Sequence, residues 1–161
     1  MATVFGLEQG LVEAGRHPNP PQYQGKLRII KGTFTTTATP GALGSGLITV
    51  ASGDVVVLGL MHKDEQVLNG LQTNGAMGGA ATASIGTYSR VGNVFTAVAS
   101  TRYLNAQSVV AAGQNAIAAT DAQNFLDVQT LDQVYIALTA GGGGSYANGQ
   151  TFKMAFYYIG D

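Results

Sequence analysis

Apolar residues recur at every second position near the end of this chain. In Gln133–Thr139 they are Val134, Ile136 and Leu138; in Thr151–Ile159 they are Phe152, Met154, Phe156 and Tyr158. A period of two places side chains alternately on opposite faces, so each run reads as a strand with one face buried. The glycine run Gly141–Gly144 and the pair Asn148-Gly149 lie between them. This predicts two antiparallel strands joined by a glycine-rich loop. No long segment carries the 3.6-residue period of an amphipathic helix, so the chain is expected to be all-β.

The body of the chain begins near Gly25. Lys26–Thr37 is rich in β-branched residues and fits a pleated surface. Val55–Leu60 is a continuous apolar run bounded by turn residues, the pattern of a strand covered on both faces. Gln66–Gln72, Thr82–Tyr88, Val91–Ala99 and Thr101–Asn105 extend the series. Asn69-Gly70, Asn74-Gly75 and Asn148-Gly149 suit the positive φ angles of tight hairpins. Asn105–Thr120 is Ala-rich and reads as loop or as short helical turns, and Thr120–Leu126 as the start of another turn of helix. Many short strands with closely spaced turns predict a single β-sandwich, jelly-roll-like domain over residues 25–161.

Residues 1–24 differ from the rest. Pro18, Pro20 and Pro21 keep that stretch extended and out of any central strand. Phe5, Leu7, Leu11, Val12 and Tyr23 give it apolar anchors that a disordered tail usually lacks. Two readings stand: a disordered terminus, or an N-terminal arm that docks on another chain. The candidate contact residues are Phe5, Leu7, Leu11, Pro18, Pro20, Pro21 and Tyr23.

Charge narrows the function. Eight Lys+Arg against nine Asp+Glu give a net charge of −1, which implies no general affinity for nucleic acid. Charged residues make up 11% of the chain, against about 25% in a typical soluble domain. That deficit points to a surface that meets other protein; the plainer alternative is a Thr/Asn/Gly-rich β-protein of low charge. The chain contains no cysteine, which removes disulfides, thiolate zinc sites and cysteine nucleophiles and fits folding in a reducing cytoplasm. No apolar run reaches the roughly 18–20 residues that span a bilayer, and the start has no secretory pattern.

Reactive constellations are scarce. His17 and His62 form no metal-spaced pair, and Asp121, Asp127 and Asp132 match no calcium loop. His62-Lys63-Asp64-Glu65 is the densest charge cluster; it reads as a solvated hairpin tip between Val55–Leu60 and Gln66–Gln72, and as a catalytic group only in a weaker alternative. The glycine run lacks the Lys-Ser/Thr and following helix of a phosphate loop. No serine sits in a nucleophile elbow, and no Trp is present to stack a sugar. Tyr88, Tyr103, Tyr135, Tyr146, Tyr157 and Tyr158 suit either a ligand surface or an interface. The expectation is no catalysis, no metal, no nucleotide and no other cofactor.

Several segments in order carry a resemblance. They are Gly53–Leu58, the Ser-Ile-Gly segment within Ala83–Ser89, Arg102-Tyr103-Leu104-Asn105-Ala106, the Ala-rich Gln107–Thr120, Val134–Ala140, Gly141–Gly144 and Phe152–Ile159. From Lys26 onward the chain resembles small structural proteins of tailed-bacteriophage virions, in particular capsid decoration or cement proteins of the head. The resemblance implies a non-enzymatic all-β homo-oligomer, a trimer by preference. It would be assembled in the host cytoplasm and would bind the major capsid protein lattice on the capsid surface to stabilise the head. It implies no nucleic acid or membrane partner. The alternative is a tail or fibre component that binds a host surface glycan.

Overall fold

The structure is a computed structural model that describes residues 26–41, 45–62, 65–92, 94–117, 127–128 and 133–160. The seven candidate contact residues of the arm and the 1–24 boundary lie outside them. Ten strands appear and, among the described residues, no helix. They are β1 (Lys26–Thr36), β2 (Leu47–Ile48), β3 (Val55–His62), β4 (Gln66–Asn74), β5 (Thr82–Val91), β6 (Val94–Ser108), β7 (Gly113–Ile117), β8 (Asp127–Val128), β9 (Gln133–Gly141) and β10 (Thr151–Gly160).

The strands form two sheets. A six-stranded sheet runs β2-β1-β10-β4-β7, with β8 also pairing β4; a four-stranded sheet runs β3-β9-β5-β6. Their inner faces share one core. Phe34, Val67, Ile117, Phe152, Met154 and Phe156 come from the first sheet, and Met61, Ile85, Tyr103, Ile136 and Leu138 from the second. Phe34 stacks on Phe152 at 5.2 Å, and Tyr103 meets Phe156 edge-on at 4.9 Å across the two sheets. This is a β-sandwich of the jelly-roll kind, in which the chain repeatedly leaves one sheet for the other.

The alternation at the end of the chain is as expected: Val134, Ile136, Leu138, Phe152, Met154 and Phe156 are all buried. The expected pairing is not. β9 lies in the four-stranded sheet and β10 in the six-stranded one, so the glycine run bridges the sandwich and closes no hairpin. The same holds for β3 and β4, and His62–Glu65 is a crossover between sheets. Alternation fixes which face is buried; it carries no information about which partner is adjacent.

Three further expectations are corrected. β3 is not covered on both faces: it is an edge strand with Val55 and Val57 partly in solvent. Asn69-Gly70 is no turn but lies inside β4, beside the bulge opposite Tyr157/Tyr158. A methyl group on Gly70 would stand 2.6 Å from the Ala155 carbonyl oxygen, so glycine serves close strand approach there. Asn74-Gly75 ends β4, leaving Asn148-Gly149 as a turn with positive φ, at Gly149. The Ala-rich stretch is also strand in its described part: β6 runs on to Ser108 and β7 follows at Gly113.

β6 reaches fifteen residues by means of irregularity. Its ladder with β5 shifts register at three places, and the largest inserts Ser100–Tyr103 opposite Gly86. A side chain at Gly86 would land on the backbone of Ala99 and Ser100, so only glycine lets the bulge settle there. The bulge turns Tyr103 into the core.

Candidate functional site

The outer face of the six-stranded sheet follows from its register. Leu27, Ile29, Lys31 and Thr33 of β1 pair with Ile159, Tyr157, Ala155 and Lys153 of β10. On the other side of β10, Tyr157, Ala155 and Lys153 pair with Asn69, Leu71 and Thr73 of β4. Leu71 in turn meets Ala116 of β7. The residues between them on each strand (Phe34, Met154, Phe156 and Gln72) point into the core.

Half of this face is therefore apolar. Leu27 is 65% exposed, Ile29 46%, Tyr157 39% and Leu71 38%. The apolar rows lie toward the start of β1, where residues 1–25 join it. Toward the other end the face turns polar. Lys31 and Lys153 stand diagonally across β1 and β10 and, with Leu71 and Ala155, line a shallow depression of about 220 Å³. Contiguous exposed apolar surface of this kind marks a contact site more often than scattered single residues do.

The frame beneath the face is rigid. The β1–β10 ladder runs ten pairs without a register shift. On the inner side Gln72 donates to the Asn74 side chain at 2.8 Å and accepts from Asn115 at 2.7 Å. Asn74 donates onward to the carbonyls of Ala111, at 2.8 Å, and Val109, at 3.3 Å. This buried amide chain ties β4 to β7 and to the segment after β6, and satisfied buried networks of this kind hold one geometry.

Within the charge cluster at the β3–β4 crossover, of which Lys63 and Asp64 lie outside the described residues, Glu65 is structural. Glu65 is buried, accepts the backbone N–H of His62 at 2.7 Å and stands 3.9 Å from Arg28. It is thus not the solvated tip expected from the sequence, although His62 itself is exposed. Among the described residues no three His, Asp or Glu side chains gather as metal ligands, and no helix is long and apolar enough to cross a membrane.

The tyrosines are dispersed and do not line one ligand surface. Tyr88, Tyr103 and Tyr146 are buried, Tyr135 and Tyr158 half-buried, and Tyr157 exposed. Tyr146 donates its hydroxyl to the Thr82 carbonyl at 2.6 Å, and burial pushes its phenol up to about 12, partly offset by a backbone hydrogen bond at Gly141. The exposed face of Leu27, Ile29, Leu71 and Tyr157 was not singled out from sequence. The signal was present in Lys26-Leu27-Arg28-Ile29-Ile30, where apolar residues occupy both phases of the alternation.

No protein-family model matches the chain, and no curated protein matches it. Among solved structures its fold is similar to a chain of the cyanophage Pam1 capsid asymmetric unit. The sequence identity is 14%, the TM-score 0.61, and the match covers 85% of this chain and 86% of that one. It is also similar to a chain of the capsid of Ralstonia phage GP4, at 17% identity and TM-score 0.65, covering 84% of this chain and 85% of that one. At these identities the likeness is one of fold.

Proposed function

We propose that this chain is a structural protein of a tailed-phage virion, placed on the head as a decoration or cement protein that oligomerises and binds the capsid lattice. The observation that carries this reading is the fold shared with chains from two phage capsids over some 85% of each partner. The molecule's own surface supports it. A chain with 11% charged residues presents an apolar sheet face on a rigid ladder, which suits a part laid against other protein. The role requires no catalysis, and Glu65 of the densest charge cluster is occupied in holding the β3–β4 crossover.

The test is addition of the purified protein to isolated heads that lack it, followed by sedimentation and heating. Binding should saturate at a fixed copy number per head and raise the temperature at which heads release their contents. Immunogold label on tails would move the protein to the tail, and absence from purified virions would remove the reading altogether.

A further inference from the structure

We infer that the open face of the six-stranded sheet is the docking site for residues 1–24 of a second copy of this chain. The inference deepens the assembly role proposed above and rests on it for its setting. Three features of face and arm match. First, in an extended segment Phe5, Leu7, Gln9, Leu11 and Glu13 fall on one side, which gives a mostly apolar row, interrupted by Gln9, that ends in a carboxylate. The sheet face offers apolar rows at Leu27, Ile29 and Tyr157, followed by the diagonal cations Lys31 and Lys153. Apolar surface would meet apolar surface, and the Glu13 carboxylate would meet the two ammonium groups.

Second, reach favours a neighbour. At about 3.1 Å per residue, a fully extended chain, stiffened by proline only at Pro18–Pro21, would carry Leu11 up to about 40 Å from Gly25. The rows from Leu27 to Lys31 span only about 13 Å of β1 at about 3.3 Å per residue. The nearest residues of the same arm, Pro18 to Tyr23, carry no carboxylate to offer Lys31 and Lys153. If extended, the segment with the matching pattern would overshoot the face of its own subunit, which favours the face of a neighbour as its partner. Third, the arm joins β1 at the apolar end of the face, so exchange of arms around a symmetry axis brings each face next to a neighbour's arm.

The chain has no cysteine, which makes cross-linking clean. Full-length protein with Leu7→Cys or Leu11→Cys, carrying a tag that changes its mass, is mixed with untagged protein bearing Ile29→Cys, Leu71→Cys or Tyr157→Cys. Thr96→Cys, exposed on β6 of the other sheet, is the control. After oxidation, a tagged–untagged species several-fold above the control is expected for at least one pair. No such species for any pair, or an intrachain disulfide alone when both cysteines share one chain, overturns the inference. A charge exchange checks it independently. Lys31→Glu with Lys153→Glu should weaken self-association about tenfold in sedimentation equilibrium, and Glu13→Lys on the same chain should restore it. Failure of that rescue also overturns it. Head binding by a protein whose arm never cross-links would leave the proposed function standing and remove only this interface.

Discussion

The six-stranded sheet leaves Leu27, Ile29 and Tyr157 uncovered on its outer face, whereas the four-stranded sheet lays its own aromatic side chains over its own. There Tyr88 is buried and hydrogen-bonds Thr139, and Phe95 meets the Tyr135 ring edge-on at 5.2 Å. Arg90 sits 5.6 Å above the Phe95 ring. The ladders differ in the same sense: β1–β10 is regular over its length, while β5–β6 shifts register three times to bring β6 over Gly86. Apolar exposure on the four-stranded sheet falls on its two edge strands and their hairpin tip: Val55 and Val57 on β3, Val94 and Val98 on β6, and Val91 at the end of β5. One sheet uses irregularity to cover itself; the other presents its surface on an unbroken β1–β10 ladder, with a register shift where β10 meets β4. A sheet that needs no partner and a sheet that lacks one are thus built on the same core.

The largest expected effect separates inner from outer face within one sheet. Phe156→Ala removes a fully buried ring that contacts Tyr103, and should cost about 3–5 kcal/mol of stability. Ile29→Ala, on the open face, should stay within about 0.5 kcal/mol for the isolated subunit. Urea unfolding of both variants checks the contrast, and equal losses would mean that the face is not open. Next comes the frame under that face. Gln72→Leu strands the side chains of Asn74 and Asn115 and should cost about 1–3 kcal/mol.

The third prediction sets the two outer faces against each other. Phe95→Ala should destabilise the subunit by about 0.5–1.5 kcal/mol beyond its lost buried area, because it breaks the contacts to Tyr135 and Arg90. Tyr157→Ala should leave subunit stability nearly unchanged and instead weaken association, read by sedimentation. Equal behaviour of the two variants would dissolve the distinction between the sheets.

The smallest effect at neutral pH concerns Tyr146, in the segment that crosses from β9 to β10. Its phenol value is about 12 in the fold against an ordinary 10.0, so the fold favours the neutral form. Stability from this group is fully present below pH 10 and is lost as pH rises from there toward 12, by at most about 1.4 kcal/mol per pH unit. Tyr146→Phe should flatten that decline in thermal melts taken between pH 9 and 12.

The sequence revealed faces better than neighbours. The alternation of Val134–Leu138 and Phe152–Tyr158 marked the core correctly, because burial acts on each strand separately. Pairing of β9 with β10 did not follow, because a long glycine-rich connection closes a hairpin or crosses a sandwich equally well. β7 escaped notice because Gly113-Gln114-Asn115-Ala116-Ile117 has a single β-branched residue; what holds it in the sheet is pairing with β4 and the Asn115–Gln72 hydrogen bond. The run Val55–Leu60 looked doubly covered because a continuous apolar strand reads the same at an edge as at the centre of a sheet. The open face stayed hidden for a related reason: Leu27 and Ile29 are apolar on the side that a lone sandwich would expose.

A cryo-electron microscopy map of the virion tests the central claim most directly. The expected result is the two-sheet sandwich seated on the head, with Leu27, Ile29 and Tyr157 of the six-stranded sheet covered by protein density. A map that places the sandwich on the head with that face in solvent, or that lacks the protein, would contradict it.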